Sequence, residues 1–215
     1  MKILRYFLSL CCLTVLTAHA QVNYLERSWD SEKKQVVTVT RTCNSYKEIT
    51  GENSSREGFN SGWYVVKGNV ERFQFFFKGE VHLILTDGCR MRTKQVVVQK
   101  SDNTKLYIYS QSDGENQGKL EACNDYFDFN AALGSVESDG MGSLYIHGGN
   151  ISATQLKSSS AAIGGGYKGQ IDPQSEIVIY GGKVTAKSYQ WSAAIGGGYV
   201  RDQGGPITIY GGTVS

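Results

Sequence analysis

Two short modules recur in the same order through the second half of the chain. The first reads Leu144-Tyr-Ile-His-Gly-Gly-Asn-Ile-Ser-Ala153, then Ile177-Val-Ile-Tyr-Gly-Gly-Lys-Val-Thr-Ala186, then Ile207-Thr-Ile-Tyr-Gly-Gly-Thr-Val-Ser215. The second reads Ala161-Ala-Ile-Gly-Gly-Gly-Tyr167 and Ala193-Ala-Ile-Gly-Gly-Gly-Tyr199. A decayed earlier copy supplies Leu106-Tyr-Ile-Tyr109, Leu120-Glu-Ala122 and Ala131-Ala-Leu-Gly134. Successive copies are offset by 38, 33 and 30 residues at the first module and by 30 and 32 at the second. A period in this range means stacked structural units that bury a core only against their neighbours.

Each module has the pattern of a short, half-buried strand. Leu144/Ile146, Ile177/Ile179 and Ile207/Ile209 alternate with polar or aromatic residues, the period-2 signature of one face turned inward. Val184 and Ala186 continue the apolar set after the Gly-Gly pair, and Ile163 and Ile195 supply a third. One repeat therefore yields three strands separated by corners, one coil of a three-faced solenoid. Coils ~4.8 Å apart put equivalent residues in columns, with Ile179 between Ile146 and Ile209. The 26 glycines gather in pairs and triplets beside only two prolines, which is punctuation rather than a linker. The triplets are not a phosphate loop, because Tyr167 and Tyr199 follow where Lys-Ser/Thr is required. They mark corners that need positive φ or close backbone approach. Upstream, the segments 62–70 and 81–89 read as irregular coils, and 95–99 as a further strand. Residues 21–61 are more polar, with one strand at Lys34 to Thr42, and are expected to form an N-terminal β cap; residues 62–215 form the repeats.

The first twenty residues have a secretory-signal layout: Lys2 and Arg5, an apolar run from Tyr6 to Leu16, then Ala18-His19-Ala20. Export to the outside or to the cell surface is expected, with Gln21 as the mature N-terminus. Leu10 before Cys11 argues against a lipid anchor, and no later segment matches a membrane span of ~20 apolar residues. Cleavage removes two of the 22 basic residues and none of the 20 acidic ones. A neutral chain without a basic run is a poor nucleic-acid partner. Cys43, Cys89 and Cys123 are spaced too widely for a zinc site or a disulfide framework.

These motifs together resemble a family of secreted bacterial β-helix proteins labelled carbohydrate-binding domain-containing. The resemblance is carried by Gly62-Trp-Tyr-Val-Val-Lys-Gly-Asn-Val70, His82-Leu-Ile-Leu-Thr-Asp-Gly-Cys89, Leu106 to Ser112, and the Ala-Ile-Gly-Gly-Gly and Ile-x-Ile-x-Gly-Gly-x-Val repeats. It runs from about Tyr24 to the end. It implies a right-handed parallel β-helix, related in shape to pectate lyases, and for some relatives binding of acidic plant polysaccharide with calcium. The chain departs from the family by stopping mid-coil at Ser215, so further repeats are expected to follow.

Two outward columns carry the candidate chemistry. One holds Tyr109, His147, Tyr180 and Tyr210; the other holds Tyr107 and Tyr145 before passing to Val178 and Thr208. Their rings suit stacking on sugars, or equally the stabilisation of the sheet face by cross-strand aromatic pairs. A third series, Asp139, Asp172 and Asp202, precedes each first strand by five residues. It suits either a turn or a calcium ion bridging coils. The repeat strands carry no acidic residue, and His147 stands alone in a tyrosine column, so no catalysis is expected. Non-catalytic polysaccharide binding is the leading reading. A structural stalk or adhesin with protein partners is the alternative, followed by a pectate-lyase-like lyase.

Overall fold

The computed structural model describes residues 21–51, 58–126, 128–169, 173–189, 191–199 and 205–215; the signal segment, Asp172 and Asp202 lie outside them. A hairpin opens the chain, β1 (Val22–Asp30) and β2 (Gln35–Cys43), followed by β3 (Lys47–Ile49). The next two coils have two strands each: β4 (Gly62–Val66) with β5 (Asn69–Phe77), and β6 (Glu80–Leu85) with β7 (Arg90–Val98). Three-strand coils follow: β8 (Lys105–Ser110), β9 (Lys119–Asn124) and β10 (Leu133–Gly134), then β11 (Ser143–Ile146), β12 (Asn150–Gln155) and β13 (Ile163–Gly164). The last described strands are β14 (Ile177–Ile179), β15 (Lys183–Lys187), β16 (Ile195–Gly196), β17 (Ile207–Ile209) and β18 (Thr213–Val214).

Equivalent strands stack in parallel, and the chain is a parallel β-helix. The first sheet runs β3-β4-β6-β8-β11-β14-β17; the second runs β16-β13-β10-β7-β9-β12-β15-β18, with β5 on β7. The second sheet turns a corner inside β7. Arg90–Thr93 pair with β9, whereas Val96 and Val97 pair with β10. Thr93 makes that bend, its hydroxyl 3.0 Å from both the Phe73 and the Gln95 carbonyl and accepting from the Gln95 amide. Later coils break the long strand into two short ones, and the three faces read from the repeat result.

The inward columns are those the alternation specifies. Ile179 pairs in register with Ile146 on one side and Ile209 on the other. Leu106, Leu144 and Ile177 are fully buried, as are Ile163 and Val184. Each such side chain contributes about 1.5–3 kcal/mol relative to exposure. Ile207 and Ile209 are 40% and 51% exposed, since no described rung lies beyond them. The glycine triplets are steric necessities. Gly164 has φ +139°, and a Cβ there would stand 1.8 Å from the Gly196 carbonyl oxygen of the next rung. Gly134 meets Gly164 in the same way at 1.9 Å.

The expected cap divides into two parts. β3 pairs with β4 in parallel, so the first sheet begins at Lys47 rather than at residue 62. The hairpin does not close the end of the coil; it lies lengthwise over the outer face of the first sheet. Cys43, Cys89 and Cys123 are free thiols, and among the described residues no helix is long and apolar enough to cross a membrane.

Candidate functional site on the strapped face of the first sheet

Strand pairing sets two outward columns side by side. One runs Trp63, His82, Tyr107, Tyr145, Val178 and Thr208. The other starts with Val65, Ile84 and Tyr109 and continues through His147, Tyr180 and Tyr210, whose amides bond one rung back to Ile108, Ile146 and Ile179. A rung spacing of ~4.8 Å is close to the contact distance of stacked rings. The rings therefore lie on one another. Trp63 and His82 are 4.2 Å apart at 12°, His82 and Tyr107 4.7 Å at 15°, and Tyr107 and Tyr145 4.5 Å at 11°. In the second column, Tyr109 to His147 is 4.5 Å, His147 to Tyr180 5.0 Å, and Tyr180 to Tyr210 5.4 Å.

β1 covers the second column. Tyr24 packs on Trp63 at 5.1 Å and on Tyr109 at 4.8 Å, and Trp29 stacks on Tyr210 at 4.8 Å. Between them, the Arg27 amide donates to Nδ1 of His147 at 3.1 Å. The Arg27 guanidinium donates to the His147 carbonyl and pairs with Asp113. The five steps from Tyr24 to Trp29 span ~17 Å when extended, close to the ~14 Å of three rung spacings between Tyr109 and Tyr210. β1 thus runs along the solenoid axis. Its inward residues change from Val22 and Tyr24 to Arg27, while its pairing with β2 continues without a bulge; the ribbon twists. Val22, Tyr24, Cys43, Val65, Ile84 and Tyr109 form a second apolar cluster beneath it.

The strap explains the Gly-Gly pairs. A Cβ at Gly181 would sit 2.8 Å from Cδ of Arg27, and one at Gly211 would sit 3.3 Å from Val36. The second glycine of each pair turns the chain, with φ +98° at Gly149 and +88° at Gly182 and Gly212.

This geometry corrects the expectation of an open aromatic column. Tyr109 and His147 are 3% and 7% exposed, and Tyr210 has its outer ring face against Trp29. Tyr107, Tyr145 and Tyr180 remain partly open. A second correction concerns the rings themselves: their faces are taken up by one another, so the column offers edges and hydroxyls. Burial pushes the Tyr109 and Tyr107 hydroxyls upward in pKa. Burial and the hydrogen bond to Glu176 raise Tyr145 to about 12; all three remain protonated donors. Burial lowers His82, against the opposing pull of Glu80 at 3.3 Å, and holds His147 at about 4.

Of the acidic series, Asp139 is described. Its carboxylate accepts from Gln99 Nε2 at 2.8 Å, Ser101 Oγ at 2.6 Å and the Gly140 amide at 2.8 Å. Donors already surround it, as in a turn. Among the described residues no three His, Cys, Asp or Glu side chains group as metal ligands.

Sequence reasoning missed Trp63 and His82, which extend the first column, although they hold the outward position of their strands just as Tyr107 does. It also missed an aromatic ridge on the third face. Phe129 and Trp191 stand two residues before the Ala pairs at φ +57° and +61°. They lie beside Tyr167 and Tyr199, at 4.8 and 6.2 Å respectively; Trp191 is 73% exposed.

The fold and this face define a parallel β-helix protein with a strapped aromatic sheet. A family model described as a beta helix repeat matches residues 144–167 and 177–199, the coils of β11–β13 and β14–β16. No curated protein and no solved structure matches the chain.

Proposed function

We propose that the protein is an exported, non-catalytic binder of extended, neutral polysaccharide. The observation that carries this reading is the row Trp63, His82, Tyr107 and Tyr145, which the strap leaves partly open on four successive coils. Ring edges are the positive rim of the aromatic quadrupole, and with the tyrosine hydroxyls they suit an oxygen-rich ligand. Each rung offers one such contact per ~4.8 Å, about the length of a sugar unit. Contacts on a rigid face share one ordering cost, so affinity grows with ligand length. Glu80 lies against His82 and Glu176 accepts from Tyr145, which disfavours the acidic polysaccharides that the family resemblance implied.

The absence of turnover in this reading follows from how the histidines are used. His147 Nδ1 is occupied by the Arg27 amide, and His82 is held between Trp63 and Tyr107 with Nδ1 against the Tyr109 hydroxyl at 3.1 Å. The reading does not call on calcium. A glycan array on the mature protein tests it, with the double variant Tyr107→Ala, Tyr145→Ala as control. Length-dependent binding to neutral glycans, lost in the variant and accompanied by no new reducing ends, is expected. A preference for uronic-acid polymers, or equal binding by the variant, would sink it.

A further inference from the structure

The strap has an unpaired side. Among the described residues β2 pairs with β1 and with nothing else, so its second edge carries backbone N–H and C=O groups without strand partners. Residues 38–42 are exposed at every position, on both alternations. Val36-Val37-Thr38-Val39-Thr40 is β-branched throughout and contains no charge, proline or glycine. Proteins usually blunt such an edge with a lysine, a proline or a bulge. Here the pairing from Val22↔Cys43 to Asp30↔Gln35 is unbroken, and the charges stand outside the central five residues, at Lys34 and Arg41.

We propose that this edge is an interface with a second copy of the chain, β2 pairing antiparallel with β2 of its twin about a two-fold axis through Thr38. The result is a four-stranded sheet in the order β1-β2-β2-β1. The segment is complementary to itself in this register: Val37 faces Val39, Val36 faces Thr40, and Gln35 faces Arg41. Cross-strand pairs of β-branched residues are favourable, and no like charges oppose. A register shorter by one residue would set Lys34 against Arg41, and like charges directly opposite disfavour it. In this register Val39, which is 41% exposed in the single chain, gains the twin's Val37 as a cross-strand neighbour. The segment 36–40 shares no residue with the aromatic row, and the dimer is measured without a glycan, so the inference stands or falls independently of glycan binding.

Sedimentation velocity of the mature chain across micromolar concentrations tests it. The parent is expected to be a dimer. Val37→Lys with Val39→Lys places lysine opposite lysine and is expected to give monomer. Val37→Lys with Val39→Glu places opposite charges face to face and is expected to restore the dimer, which also shows that lysine at 37 leaves the hairpin folded. A parent that stays monomeric, a Lys/Lys variant that dimerises like the parent, or a Lys/Glu variant that stays monomeric overturns the proposal.

Discussion

The main-chain amide of Arg27 donates to Nδ1 of His147 across 120 residues of sequence. That bond fixes the neutral tautomer with its proton on Nε2, and it fastens the N-terminal strap to the end of β11, the fifth rung of the first sheet counted from β3. Protonating Nδ1 removes the acceptor and places a cation beside the Arg27 guanidinium, under a strand that excludes water.

The burial of His147 beneath the strap makes stability fall in acid. Burial is the main cause that lowers His147 to about 4; the Arg27 backbone contact and the Glu26 charge oppose it, and the charges of Arg27 and His82 act with it. The unfolded imidazole titrates near 6.5, so between about 6.5 and 4 the unfolded chain takes up a proton that the folded chain refuses. The contribution is fully present above that window and is lost as pH falls through it, by up to about 3 kcal/mol. Urea melts at a series of pH values are expected to show this loss, and His147→Gln is expected to flatten it. An identical pH profile in the variant would place the acid sensitivity elsewhere.

The rung spacing leaves no room for a side chain at Gly164, the first glycine of its triplet. Gly164→Ala combines a left-handed backbone with a Cβ aimed at the Gly196 carbonyl. It is expected to cost at least about 3 kcal/mol. A melting temperature within a degree or two of the parent would mean that the rungs separate more readily than their ladder bonds imply.

Ile179 is fully buried between Ile146 and Ile209 of the neighbouring rungs. Ile179→Asp buries a carboxylate with no partner and is expected to cost about 3–5 kcal/mol. Thr208 is outward and partly exposed, between the inward Ile207 and Ile209, so Thr208→Asp is expected to change stability by about 0.5 kcal/mol or less. Comparable losses in the two variants would contradict the inward register.

Asp139 closes a turn by accepting three hydrogen bonds. Asp139→Ala is expected to lower stability by about 1–3 kcal/mol, by the same amount in chelator and in millimolar calcium. A loss seen only when calcium is present would restore the cation reading for this acidic series.

The three-faced coil was legible because a repeat that cannot bury its own apolar face must bury it against the next copy; Ile146, Ile179 and Ile209 announce their column by spacing alone. The continuous apolar runs Tyr64-Val65-Val66 and Leu83-Ile84-Leu85, buried on both sides, also recorded that something covers the outer face. What covers it was not written in any period. The alternation in β1 marks a half-buried strand, but its partners, Tyr109, His147 and Tyr210, lie far along the chain and share no repeat with it. Nor does a column of aromatic residues say which way its rings face. That was decided by the rung spacing, which matches ring stacking so closely that the faces close on one another and leave a ligand only the edges.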